Sequence, residues 1–175
     1  MAKAPPIDER KFLDLTKNFS KASRDMGTLG FAQTAADIVD FGHHIGLCWL
    51  KLALRHLADA KASHKQKGTR RAVFSRSYYA VYNASKAVRY VTHGSVSLFG
   101  DDHQKAGDLP DDFPNVANWA VDITRLREHR QKADYDGWGA TTKEFSLTST
   151  KCLGLAKSFV GDAMSYLDGK YGIRL

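Results

Sequence analysis

A chain of 175 residues with 43% hydrophobic and 26% charged residues has the composition of a single globular domain. Its formal net charge of +7 and isoelectric point near 9.4 point to an anionic partner: nucleic acid, nucleotide or an acidic protein. Membrane-spanning apolar runs, the apolar core of a secretory signal and the cysteines for a disulfide framework are all missing, since Cys48 and Cys152 stand alone, so a cytoplasmic, reduced protein with no membrane association is expected.

Helical spacing dominates and strand signals are scarce. After a loose MAKAPP segment, IDERKFLDLTKNFSKASRDM reads as one short amphipathic helix carrying Phe12, Leu13, Leu15 and Phe19, broken by GTLGFAQ. A second pattern runs from about Thr34 to Lys65 on Ile45, Cys48, Trp49, Leu52 and Leu57, with Gly42 and Gly46 weakening its first turns and Gly68 as its stop. The next helix spans about Thr69 to Thr92, with Val73, Ser77, Val81, Ala84, Val88 and Val91 in line and Tyr78, Tyr79, Tyr82 and Tyr90 crowded on it. Residues 94–115, rich in glycine, proline and acids around Pro110, form a long connection with room for one helical turn. A helix from Val116 to Tyr135 follows, closed by DGWG, and a last one from about Lys143 to Asp168 on Thr148, Cys152, Leu155, Phe159 and Ala163. The fold class expected is all-α: an antiparallel four-helix up-and-down bundle over 42–175, with an extra N-terminal helical segment over 1–41.

One residue breaks the apolar pattern. Trp119, Ile123, Leu126, Arg130 and Ala133 fall on one narrow face of their helix, and arginine is rarely buried unless it is paired. Asp134, four residues on, is its natural counterion. A flank of the same helix holds Arg125, His129 and Lys132, readable as a solvated basic face or as a phosphate-binding ridge. Arg76, Tyr79 and Asn83 share a face of the tyrosine-rich helix, as packing partners for Arg130 and Asp134 or as the wall of a groove beside them. His44 and Cys48 are spaced i, i+4, but two ligands without a second pair carry no metal assignment, and neither metal nor cofactor is expected. His93 and His103 flank the long connection and read as surface or loop-capping residues, the alternative being completion of a site with Arg130.

The order Arg76-Ser-Tyr-Tyr-Ala80, Ala84 and Ala87, Phe99-Gly100, Gly107-Asp-Leu-Pro110 and Arg130-Gln-Lys-Ala-Asp-Tyr135, closing with TKCLGLAKSFVGDAMSYL, resembles the HEPN superfamily. More closely, it is similar to a branch with a tyrosine-rich second helix and a later R-x-x-A-D-Y; the likeness spans about residues 42 to 170. It implies a bundle that forms homodimers, and metal-independent ribonucleases or toxins of defence and toxin–antitoxin systems, often beside a nucleotidyltransferase. In active members an arginine binds the scissile phosphate and a histidine a few residues on moves the proton of the ribose 2′-OH. This chain has Tyr135 in that place and no histidine beyond it; tyrosine, with a pKa of about 10, is a poor proton shuttle near neutrality. The resemblance therefore implies Arg130, Asp134 and Tyr135 as catalytic residues, His129 as the substitute base, and Arg125, Lys132, Arg76 and Asn83 as phosphate contacts. Two functions follow: an RNA-directed effector of a bacterial defence or toxin–antitoxin system with atypical or lost ribonuclease activity, or a non-catalytic module docking a nucleotidyltransferase or other defence protein.

Overall fold

The helical period is realised in a computed structural model that describes residues 8–66, 70–97, 100–136 and 145–175. Among these residues lie six α-helices and one 3₁₀ helix, with no strand: α1 Glu9–Thr16, α2 Phe19–Thr28, α3 Ala32–Lys65, α4 Arg70–His93, the 3₁₀ helix Gly100–Gly107, α5 Val116–Tyr135 and α6 Ser149–Tyr171. The last four α-helices form the bundle, and α4 lies at its centre against α3, α5 and α6. Antiparallel pairing shows in the cross-contacts. Trp49 meets Tyr90 while His56 meets Tyr79 across α3 and α4, and Ser75 meets Asp134 while Tyr79 meets Arg130 across α4 and α5. The expected line on α4, Val73 through Val91, is buried throughout, as are Tyr78 and Tyr90.

The single N-terminal helix expected from the sequence is two helices. Lys17 adopts a left-handed φ of 49°, and Asn18 caps α2 by accepting from the Lys21 N–H at 2.8 Å. The break is docked to the end of α4, where Asn18 Nδ2 donates to the His93 carbonyl at 3.1 Å and the Phe19 N–H to Gly94 at 2.8 Å. Gly42 and Gly46 do not weaken α3 as expected. A Cβ on Gly42 would meet the Phe19 ring at 2.6–2.7 Å, and one on Gly46 would collide with Val91, so both positions admit close packing. Leu52, expected to face inward, is 38% exposed. The last helix starts later than about Lys143, a residue outside those described: Thr148 caps it by accepting from the Lys151 N–H at 3.2 Å. It stops at Gly172, whose φ of 66° suits glycine, with the Gly172 and Ile173 N–H groups closing back on Asp168 and Leu167.

Candidate functional site

The C-terminal turn of α5 is held by α4. Arg71 donates through Nε to the Ala133 carbonyl at 2.6 Å and through Nη2 to Lys132 at 3.2 Å and Asp136 at 2.6 Å, satisfying carbonyls that the helix end leaves open. Arg130 lies one turn earlier, its side chain only 15% exposed. Its Nε is 2.9 Å from Asp134 Oδ2, an ion pair whose N–H is poorly aligned for a hydrogen bond. Nη2 donates to the hydroxyls of Tyr79 at 2.5 Å and Tyr135 at 3.1 Å, and Ser75 donates to Asp134 at 3.3 Å. Nη1 makes no hydrogen bond to any described residue, so both of its donors are unspent.

The 3₁₀ helix supplies the facing wall, and a buried ion pair fixes it. Asp102, fully buried, receives both Nη groups of Arg89 at 2.8 and 3.0 Å and the Tyr82 hydroxyl at 2.8 Å, with Lys86 Nζ 3.8 Å away. Burial alone would raise the Asp102 carboxyl; Arg89 and Tyr82 outweigh it and hold the group below its ordinary value. The next residue is His103. Its ring stacks on Tyr82 with centroids 4.1 Å apart, and its Nδ1 pairs with the Tyr78 hydroxyl at 2.9 Å. Arg127 Nη1 approaches the His103 carbonyl at 3.4 Å. His103 Nε2 has no hydrogen-bond partner among the described residues. Burial, then the charge of Arg130, push the imidazole below its ordinary 6.5, so it is neutral at physiological pH. Tyr78, pushed up to about 12 by burial, keeps its proton.

Between the two walls lies a pocket of about 530 Å³ lined by Arg130, His103, Arg127, Tyr78 and Tyr135, with Gln104 and Gln131. A cation with free donors and a neutral imidazole thus share one polar cavity. The chain's family is decided by its own span: the HEPN domain matches residues 48–162. The chain belongs to the HEPN family. No curated protein and no solved structure matches it. The HEPN span contains both walls of the pocket and leaves α1, α2 and the first half of α3 outside.

Within this HEPN domain the sequence-derived site residues divide. Arg130, Asp134 and Tyr135 come together, with Tyr135 70% exposed at the rim. His129 does not join them. It is 2% exposed, packed against Phe74 and Phe145, with Nε2 3.1 Å from Ser146 Oγ, so it lies on no solvated basic flank. Burial, then Lys132, push its pKa down. We expect His129→Ala to cost about 2–4 kcal/mol of stability, as a large-to-small core change does, while leaving RNA affinity unchanged; paired melting and binding curves check this. Arg125 is exposed and sits 3.5 Å from Asp122, and Lys132 is exposed. Arg76 approaches His56 at 3.4 Å, and buried Asn83 donates to the Tyr79 carbonyl, so neither lines the pocket. The sequence passes over Arg89, Asp102 and Arg127, and favours His103 as a surface or loop-capping residue over the alternative that it completes a site with Arg130. Arg89 lies on the Tyr82 and Ser85 face of α4 rather than on its apolar line, so the period of that line gave no signal for it.

Proposed function

We propose that this HEPN protein is an RNA-directed effector that cleaves RNA by an atypical ribonuclease mechanism, with His103 in place of the family histidine. The observation that carries the reading is the pairing of unspent groups, Arg130 Nη1 and His103 Nε2, across one pocket. A scissile phosphate would be gripped by Arg130, already oriented by Asp134 and Tyr79, with Arg127 adding positive charge. In the tautomer that carries its proton on Nδ1, shared with Tyr78, His103 Nε2 holds the lone pair that takes the proton from the ribose 2′-OH. The 2′-oxygen attacks phosphorus, the bond to the 5′-oxygen breaks, and Tyr135 protonates that leaving oxygen: a phenol, poor as a base near neutrality, is already in its acid form, and since its oxygen accepts from Arg130 its O–H is free. The products are a 2′,3′-cyclic phosphate and a 5′-hydroxyl, and no step calls for a metal. Homodimerisation through α5, where Val121 and Tyr135 are exposed, is the assembly we propose, readable as a doubled mass in light scattering. A place in a defence or toxin–antitoxin system fits the family.

RNA binding tests the reading directly. Arg130→Ala should weaken binding more than tenfold, whereas Arg125→Ala and Lys132→Ala should weaken it modestly and flatten the salt dependence by about one counterion per lost contact. A wild type that binds no RNA even at low salt would turn the assignment to the non-catalytic module, with Arg130 structural and a nucleotidyltransferase or other defence protein as its partner.

A further inference from the structure

We infer that Glu9, His44 and Cys48 form a binding site for a zinc-class divalent cation that clamps α1 onto α3. None of the three lines the pocket at Arg130, so the inference stands apart from the ribonuclease reading. His44 and Cys48 share a face of α3 at i, i+4, and Glu9 enters from the first turn of α1. Among the described residues this is the one group whose donor atoms converge, all within 4.8 Å of one another. The spacings are those of one face of a tetrahedron. His44 Nε2 is 3.3 Å from Glu9 Oε1, and Cys48 Sγ is 3.6 Å from each of them. Bonds of about 2.0–2.1 Å to nitrogen and oxygen and about 2.3 Å to sulfur, at tetrahedral angles, require edges of roughly 3.3 Å between nitrogen and oxygen and roughly 3.5–3.6 Å to sulfur. A single ion placed over this triangle would meet all three ligands without moving the backbone.

The donor set selects the metal. Thiolate and imidazole favour zinc and its cobalt surrogate over magnesium and calcium, which take oxygen ligands. The half-exposed side chains of Glu9 and His44 leave the fourth position open to water. Phe41 packs against the His44 ring with centroids 5.6 Å apart and steadies it. The clamp also has a mechanical task. α1 buries none of its residues, and its Leu15 is 83% exposed, so apolar packing alone holds it weakly.

Cobalt titration of the reduced, untagged full-length chain tests the site. We expect one equivalent to bind with a thiolate-to-cobalt absorption band in the near ultraviolet. The band should vanish in Cys48→Ser and persist in Cys152→Ser, whose thiol is fully buried. Glu9→Gln and His44→Ala, both at exposed positions, should each weaken binding by at least the roughly 10- to 100-fold that even outer-shell losses cost. Cleavage by protease within α1 should slow only when metal is present. A band that survives Cys48→Ser, an affinity indifferent to Glu9→Gln and His44→Ala, or the absence of any thiolate band would overturn the assignment.

Discussion

Asp102→Ala should cost the fold about 3–5 kcal/mol, because it strands Arg89, itself only 4% exposed, without its bidentate partner in the core. Against a usual total of about 5–15 kcal/mol this leaves a marginal protein, with a melting temperature lower by on the order of 10 °C. The loss arises from an uncompensated charge rather than from the worth of the pair. Arg89→Met combined with Asp102→Leu should therefore recover much of the stability, although Tyr82 loses its acceptor. The pair also predicts a pH dependence. A carboxyl held below its ordinary 3.8 in the fold contributes stability that is present above that value and lost as the pH falls through the lowered one. Wild type should thus lose stability on acidification more steeply than the double variant. Urea melts of the three proteins from pH 7 downward give the comparison, and equal melting of wild type and Asp102→Ala would remove the ion pair from the account of the fold.

The second large effect concerns chemistry. His103→Gln should reduce RNA cleavage by about 10²- to 10⁴-fold, the range for removal of a positioned general base, while the protein stays folded. Glutamine keeps a polar group near Tyr78 and cannot carry the proton. The sign of the pH profile is fixed by the environment of the imidazole. Burial and Arg130 lower its pKa below 6.5, and the neutral form is the base. Cleavage should be at full rate above that value and fall as the pH drops through the lowered pKa. A rate that climbs on acidification would make the histidine an acid, or irrelevant.

Much of the scaffold was legible because period is local. The bounds of α5 and the buried line of α4 follow from apolar spacing, and Asp134 was found as the partner of Arg130 from the i, i+4 rule alone. What a helical wheel cannot supply is the identity of the surface opposite. His129 shares a flank with Arg125 and Lys132 on paper, yet Phe74 of α4 and Phe145 beyond α5 cover it. The two glycines of α3 looked like weaknesses until Phe19 and Val91 were seen against them. The site itself was half visible. Arg130 announced itself by interrupting an apolar face, but His103 lies in a connection without periodicity, placed by a neighbour, Asp102, that pairs across to α4. Glu9 joins His44 and Cys48 from a separate helix, a juxtaposition that sequence spacing does not encode.

Cleavage of RNA in the pocket between Arg130 and His103, as proposed, leaves a chemical signature. Its most direct test is the chemistry of the RNA ends after single-turnover incubation in chelator with wild type, Arg130→Ala and His103→Gln, each verified as folded by its melting curve. Wild type should leave new 2′,3′-cyclic phosphate and 5′-hydroxyl ends, and both variants should leave none. Intact RNA in all three, or equal cleavage by wild type and variants, would contradict the proposal.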